Sequence, residues 1–137
     1  MIAFDRRFPA RPERLCDIRH AVAEAAAAFG CPEAVIGDIV LAVDEACQNI
    51  IRHAYRGEDG DIVVQINVED GKLVVRLIDF AQPVDVSRIH PRPLDEVRPG
   101  GLGTHLIRAV MDEIDFLPPP PGAGNLLRMV KHIGERR

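Results

Sequence analysis

The chain contains no tryptophan, one tyrosine and five phenylalanines among its 137 residues. So few aromatic rings argue against a surface on which the bases of single-stranded nucleic acid could stack. The formal net charge is −4 at neutral pH, and the basic residues are scattered along the chain. Because nucleic-acid binding requires a concentrated basic surface, we expect no direct interaction with DNA or RNA.

Cysteine is also scarce, and Cys16, Cys31 and Cys47 form no C-x-x-C pair. An odd number of isolated cysteines predicts core thiols in a reducing cytosol, and neither a disulfide framework nor a zinc site. The sequence has no apolar run long enough for a membrane helix, and its first residues lack the apolar region of a signal peptide. These absences predict a cytoplasmic protein with no membrane partner.

The residues that are present, 47% apolar and 28% charged, are typical of a globular protein, and the length suits one domain over residues 1–137. Strand and helix patterns follow in the order strand, helix, helix, strand, strand, long loop, helix, strand, strand, with the helices at residues 13–30, 31–55 and 102–114. The clearest signal is a hairpin at residues 61–80, where two alternating runs flank Asp70-Gly71. This order predicts an α+β fold, a two-layer sandwich with helices on one face of a mixed, mostly antiparallel sheet.

The second predicted helix carries Glu45 and Asn49 one turn apart. Its apolar positions at spacings of 4, 3, 4, 3 and 4 predict a core-facing stripe. The members of that stripe are Ile36, Val40, Val43, Cys47, Ile50 and Ala54. Glu45 and Asn49 lie roughly opposite the stripe, within about 40° of each other. Such a pair is usually the solvated face of a helix; the alternative is a pair held in place to bind a ligand.

Two features downstream bear on this choice. Asp79 ends an apolar strand, where it either caps the next turn or accepts a hydrogen bond from an exocyclic amine such as that of adenine. After about 20 polar, proline-broken residues, "RPGGLGTHLIRAV" places Gly100, Gly101 and Gly103 at the start of a helix, where free N–H groups and the helix dipole attract anions. The glycines match neither GxxxxGK[ST] nor GxGxxG, so Walker and Rossmann sites are not predicted.

The order of these features resembles that of the GHKL (histidine-kinase-like) ATPase superfamily. The features are E-x-x-x-N on a helix, a strand-end Asp, a long loop and G-G-x-G entering a helix. Within this superfamily, "LAVDEACQNIIRHAY" resembles the N-box of the anti-sigma-factor serine/threonine kinase branch. "RPGGLGTHLIRAVMDEI" is similar to its G2 region, and "AGNLLRMVKHI" to its closing strand. The resemblance covers nearly the whole chain and implies the same sandwich fold.

The resemblance implies a role for each matching residue, with ATP and Mg²⁺ as cofactors. Asn49 would bind Mg²⁺ through its side-chain oxygen. Glu45 would act as the general base that takes a proton from a serine or threonine hydroxyl, or would orient a water. Asp79 would bind the adenine amino group, with Ala81 beside it, and residues 84–98 would form a lid over ATP. The residues that would contact the phosphates are Arg98, Gly101, Leu102, Gly103 and Thr104.

The sequence departs from the family's D-x-G-x-G pattern, because Ala81 and Pro83 replace the two glycines. If position 81 requires a left-handed backbone, alanine there costs roughly 1 kcal/mol or more. The methyl group of Ala81 is also expected near the adenine, where crowding would weaken or abolish ATP binding. Arg128 is aligned with a threonine that the family often has near the adenine.

Three functions therefore remain open at this point. The resemblance implies a kinase and anti-sigma factor that holds a sigma factor inactive, phosphorylates a STAS-domain antagonist and, as is common in the family, forms a homodimer. Ala81 favours a non-catalytic binding module of the same fold that sequesters a sigma factor or another regulator. The third is a metal-hydrolase site at Asp44, Glu45, Asn49 and His53, which the 100° between Asp44 and Glu45 opposes.

Overall fold

The computed structural model describes residues 4–82 and 99–134, and for residues 99–104 it describes the backbone alone. The helices and strands in these ranges follow in chain order: β1 (Phe4–Pro9), a 3₁₀ turn (Pro12–Arg14), α1 (Leu15–Ala28), α2 (Glu33–Asn49), a π-helical turn (Ile50–Ala54), β2 (Asp61–Glu69), β3 (Lys72–Asp79), α3 (Pro99–Val110), β4 (Glu113–Leu117) and β5 (Asn125–His132). None of these helices combines the length and the apolar character that crossing a membrane requires.

The strands form one sheet in the order β1-β2-β3-β5-β4. The predicted edge position of the first strand is confirmed, and every pairing between described strands is antiparallel, so the sheet is not mixed there. The predicted hairpin turn is also present. Asp70 and Gly71 both have positive φ, 51° and 72°, as a two-residue turn between right-twisted strands requires.

The core lies between the sheet and a layer of three helices. Side chains from alternate positions of β2, β3 and β5 pack against the apolar sides of α1, α2 and α3. The largest buried members are Ile18, Val22, Ile39, Val43, Ile62, Val64, Ile66, Leu73, Leu77, Ile107 and Met129. The predicted α+β sandwich with helices on one face of the sheet is therefore confirmed, whereas the extent of one domain over residues 1–137 stays a prediction.

The core stripe of α2 differs from the predicted one. Ile36, Val40 and Ala54 are only half-buried, whereas Ile39 and Ala46 are at most 1% exposed. The buried arc is therefore rotated from the predicted one by about 40°. The reason is tertiary, because α2 is the middle helix of the layer and packs against both α1 and α3 as well as the sheet.

The third helix was also predicted too far along the chain. It ends at Val110 and not at Ile114, because the next residues pair with β5. The Asp112 N–H donates to the Val130 carbonyl at 2.8 Å, and the amine of Lys131 donates to the Val110 carbonyl at the end of the helix. Pairing with the neighbouring strand thus overrides the helical periodicity of the sequence.

The cysteines partly follow their prediction. Cys31 and Cys47 are free thiols buried in the core, whereas Cys16 is exposed. Burial raises the pKa of Cys47 to about 12, so this thiol stays protonated at neutral pH. Although Cys47 lies between Glu45 and Asn49 in the sequence, it is a packing residue on the opposite side of the helix.

Candidate functional site

Two ion pairs identify what lies on each flank of α2. On one flank, Arg19 of α1 donates to Asp44 Oδ1 at 3.0 Å. On the other, Lys131 Nζ lies 3.1 Å from Asp38 Oδ2 and also donates to the carbonyl of Val110, the last residue of α3. Asp44 therefore marks the side of α2 that faces α1, and Asp38 marks the side that faces α3.

Glu45 and Asn49 lie on the side that faces α3. They follow Asp38 by seven and eleven residues, so at 100° per residue both fall within about 20° of the line through Asp38. Both side chains are half-buried. Since α3 ends beside Asp38 and packs along α2, its N-terminal turns extend towards Glu45 and Asn49. This placement beside another helix favours a binding pair over a solvated face.

The end of α2 that carries Asn49 also contacts the end of β3 that carries Asp79. A π-helical turn follows Asn49 and leads to Tyr55, whose N–H donates to the Ile50 carbonyl at 2.9 Å. The Tyr55 hydroxyl accepts a hydrogen bond from the Phe80 N–H at 2.8 Å, one residue after Asp79. Asn49 and Asp79, predicted to bind one nucleotide, are therefore at the same end of the sandwich.

Asp79 is a buried carboxylate, 3% exposed, on the helix-facing side of the sheet. Its Oδ1 accepts hydrogen bonds from Asn125 Nδ2 at 2.9 Å and from the Ala81 N–H at 3.1 Å. Burial raises the pKa of Asp79, and these two bonds oppose the rise because they stabilise the charged form. Both bonds end on Oδ1, so Oδ2 can accept a hydrogen from a ligand while the carboxylate also caps its turn.

The strain expected at Ala81 is absent. In the described part of the chain, the non-glycine residues with positive φ are Arg56 and Asp70, so Ala81 needs no left-handed backbone. The close backbone contact at this turn instead involves Gly124, where an added Cβ would lie 1.8 Å from the Ala81 carbonyl oxygen. The conditional penalty attached to alanine at position 81 therefore does not apply.

The residue beside Asp79 on the last strand is Asn125, and the alignment of Arg128 with that position is wrong. In the β3–β5 register, Asn125 pairs with Asp79, whereas Arg128 pairs with Arg76. Arg128 lies on the opposite face of the sheet, with Glu113 and Asp115 each 3.4 Å from its guanidinium. Sequence reasoning missed Asn125, although a polar residue directly after Gly124 at the start of an apolar strand was a usable signal.

The residues predicted to contact the phosphates can be placed only in part. The backbone of Gly101, Leu102, Gly103 and Thr104 lies in the first turns of α3, which begins at Pro99, a favourable first helical residue. The glycines are thus inside the helix and not in a loop before it. Arg98 and the predicted lid, residues 84–98, lie outside the described residues.

The metal-hydrolase interpretation has no support in this geometry. Asp44 bonds Arg19 and Gln48 on the flank that faces α1, away from Glu45. His53 is exposed beyond the end of α2. Within residues 4–82 and 105–134, no three His, Cys, Asp or Glu side chains are grouped closely enough to hold a metal ion by themselves.

Comparisons with known proteins agree with this geometry. The sequence pattern of the histidine kinase-like ATPase domain family matches residues 8–131. A serine-protein kinase RsbW of Bacillus pumilus is 29% identical over 144 aligned positions, which cover 97% of this chain and 87% of that protein. A serine-protein kinase RsbW of Listeria innocua is 32% identical over an alignment that covers 96% of this chain and 87% of that protein.

Two solved structures share the fold. The first contains the RsbU and RsbW domains of a Mycobacterium tuberculosis protein, with a TM-score of 0.67 and 18% identity over 95% of this chain and 31% of that one. The second is the SiaB–SiaC complex of Pseudomonas aeruginosa, with a TM-score of 0.65 and 20% identity over 94% of this chain and 89% of that one. At these identities the similarity concerns the fold alone.

Proposed function

Because this chain belongs to the histidine kinase-like ATPase domain family, we propose that it is an ATP-dependent serine/threonine protein kinase in a partner-switching system. It holds a sigma factor inactive as an anti-sigma factor and phosphorylates the STAS-domain antagonist of that complex. Membership confirms the predicted family, and the RsbW relatives support the predicted class of enzyme, a serine/threonine kinase. The substrate protein and the roles of individual residues are the content of the proposal.

One observation carries the proposal: the half-buried Glu45 and Asn49 face α3 at the end of the sandwich where the buried carboxylate of Asp79 lies. The half-buried polar pair on the α1 side, Asp44 and Gln48, is bonded to Arg19 and Arg52. Within the described residues, the side chains of Glu45 and Asn49 make no such hydrogen bond or ion pair, so both are available to a ligand. Together with Asp79 they form one region with separate groups for a base, a metal and a nucleobase.

The residues of this region fit a magnesium nucleotide. Asp79 Oδ2 would be an acceptor for the adenine amino group. In the first turn of α3, which begins at Pro99, the N–H groups of Gly100 and Gly101 have no acceptor within the helix and can donate to phosphate oxygens. The N–H groups of Gly103 and Thr104 are used within the helix, so these residues would contribute close backbone approach and not donors. The side-chain oxygen of Asn49 is a hard ligand of the kind that Mg²⁺ prefers. Since Mg²⁺ is commonly held by few protein ligands together with substrate phosphates, a site without a cluster of carboxylates is suitable.

Glu45 then acts as the general base. It precedes Asn49 by one helical turn, so α2 holds the two side chains at a fixed spacing. In phosphoryl transfer the protein mainly positions the groups and stabilises charge, and a carboxylate accepts the proton of the attacking hydroxyl. When bound, a magnesium nucleotide would supply the γ-phosphoryl group and leave as the nucleoside diphosphate, while Glu45 would orient the serine or threonine hydroxyl of the partner and accept its proton.

The relatives support a protein partner in general, and the family resemblance implies which partners to propose. The RsbW proteins are serine-protein kinases, and SiaB was solved in a complex with a second protein, SiaC. We extend this to a STAS-domain substrate, a sigma factor that the chain sequesters, and a homodimer. With the strain at Ala81 absent, the binding-module alternative rests on the methyl group of Ala81 beside the adenine site, and it becomes one outcome of the test.

The test combines calorimetric titration with Mg-ATP and transfer of labelled phosphate to STAS-domain proteins encoded in the source genome. Glu45→Gln should bind Mg-ATP within about twofold of the wild-type protein, because the base does not hold the ground-state nucleotide. Its transfer rate should fall by about 10²- to 10⁴-fold. Glu24→Gln, an exposed glutamate on α1, is the matched control and should retain both properties.

Two results would contradict the proposal in different ways. Absence of Mg-ATP binding by the wild-type protein would reject the nucleotide site and return the binding module to first place. Normal transfer by Glu45→Gln would leave the kinase activity standing but remove Glu45 as its base.

A further inference from the structure

We propose that Tyr55 is a positioning residue that holds the nucleobase-binding carboxylate of Asp79 and connects it to the helix that carries Asn49. This inference rests on the proposed nucleotide site. Tyr55 is the single tyrosine of the chain and is 7% exposed. It follows the π-helical turn at Ile50–Ala54, in the segment that joins α2 to β2.

The hydroxyl of Tyr55 makes two hydrogen bonds. It donates to the Asp61 carbonyl at 2.6 Å and accepts from the Phe80 N–H at 2.8 Å. A hydroxyl that donates and accepts must be neutral, and burial raises the pKa of Tyr55, which keeps it so at physiological pH. The ring is thereby fixed between the first residue of β2 and the residue that follows β3.

These bonds matter because of the peptide unit that they hold. The carbonyl of Asp79 and the N–H of Phe80 belong to one planar group. Tyr55 holds its N–H side, and Gly124, whose N–H donates to the Asp79 carbonyl at 2.8 Å, holds its other side. Fixing the plane of this peptide restrains ψ of Asp79, and with it the Cα–Cβ bond from which the buried carboxylate extends towards Asn125 and the Ala81 N–H.

Tyr55 also connects this peptide to α2. Its own N–H bonds the Ile50 carbonyl five residues earlier, which is the widened hydrogen-bond pattern of a π-helix. The extra residue of such a turn changes the direction of the residues after it, and here the π-helical turn begins directly after Asn49. π-helical turns of this kind often occur at functional sites. The hydroxyl thus links the end of α2 beside the magnesium ligand to the strand end beside the nucleobase ligand.

Gly60 provides the space for this arrangement. A Cβ at position 60 would lie 2.2 Å from Cε1 of Tyr55, so any larger residue there must displace the ring. Gly60→Ala therefore breaks the hydroxyl contacts without changing the tyrosine. It is an independent counterpart to Tyr55→Phe, which removes the hydroxyl and keeps the ring.

The experiment measures dissociation constants of Mg-ATP and of Mg-inosine triphosphate, which carries a carbonyl where ATP has its amino group. Hydrogen exchange of the Phe80 amide is followed in parallel. For Tyr55→Phe and Gly60→Ala we expect faster exchange at Phe80 and a fall of about 3- to 10-fold in the preference for ATP over the inosine nucleotide. Inosine triphosphate itself should bind nearly as it does to the wild-type protein.

Arg76→Met is the matched control, because it removes a partly buried hydrogen bond to Asn67 Oδ1, 2.8 Å long, on the opposite face of the sheet. It should lower stability without changing the preference. An equal fall in the preference for ATP in this control would overturn the proposal. It would also be overturned if Tyr55→Phe and Gly60→Ala both kept the ATP preference and the Phe80 exchange rate of the wild-type protein. Binding of neither nucleotide by the wild-type protein would instead reject the proposed function, and the role of Tyr55 in nucleobase selection with it.

Discussion

Asp79→Asn is the substitution that most directly tests the nucleobase site. The two side chains have nearly the same shape, and an amide oxygen at the place of Oδ1 can still accept from Asn125 and from the Ala81 N–H. The other position changes from an oxygen acceptor to an NH₂ donor. The substitution therefore leaves the packing in place and reverses the hydrogen-bonding character presented to the ligand.

The expected magnitude follows from the bond that is lost. A hydrogen bond to a charged group contributes about 1.5–3 kcal/mol, which corresponds to a loss of about 10- to 150-fold in Mg-ATP affinity. Inosine triphosphate presents a carbonyl oxygen at the same place, so its affinity should rise. The preference between the two nucleotides, measured by calorimetric titration, should invert.

The same substitution has a second, independent consequence for stability without nucleotide. Since burial raises the pKa of Asp79, this carboxyl contributes stability that is fully present below its unfolded value near 3.8 and is lost as pH rises through the folded pKa. Asparagine has no such loss. Asp79→Asn should therefore have a higher free energy of unfolding than the wild-type protein at pH 7, and the difference should shrink towards pH 4.

Urea unfolding at several pH values tests the stability prediction, and the two titrations test the nucleobase preference. Unchanged ATP preference in a folded Asp79→Asn protein would refute the assignment of Asp79 to the nucleobase. A variant less stable than the wild-type protein at pH 7 would refute the claim that its ionised form is unfavourably buried.

Two further substitutions test neighbouring parts of the site. Asn49→Ala should abolish Mg²⁺-dependent binding of ATP. The free energy of unfolding should change little, because Asn49 lies off the core stripe. Mg-ATP affinity equal to that of the wild-type protein would remove the assignment of Asn49 as a magnesium ligand. Gly124→Ala should lose about 1–3 kcal/mol in urea unfolding, because its Cβ meets the backbone of Ala81 at 1.8 Å. Its control, Gly37→Ala in α2, has open space around the added Cβ and should gain up to about 1 kcal/mol; equal stability of the two variants would contradict the clash.

Much of the fold could be predicted because its signals are local. The hairpin follows from alternation around Asp70-Gly71. Helix α1 ends at Ala28, two residues before Gly30, whose φ of 86° suits the position just after a helix. The end of α3 could not be predicted in this way. Residues 111–114 continue a helical pattern, yet the Asp112 N–H pairs with Val130, a partner distant in sequence.

The candidate site divides along the same line. The sequence proposed Glu45, Asn49 and Asp79 as site residues through its resemblance to a known family, because a motif on one helix or at one strand end is a local property that sequence shows directly. Only the tertiary structure decided which way Glu45 and Asn49 face, because that depends on the helices that flank α2. It also decided that Asn125 and not Arg128 lies beside Asp79. Strand register is set by pairing between segments that are distant in sequence, and a small shift in register moves a side chain to the other face of the sheet.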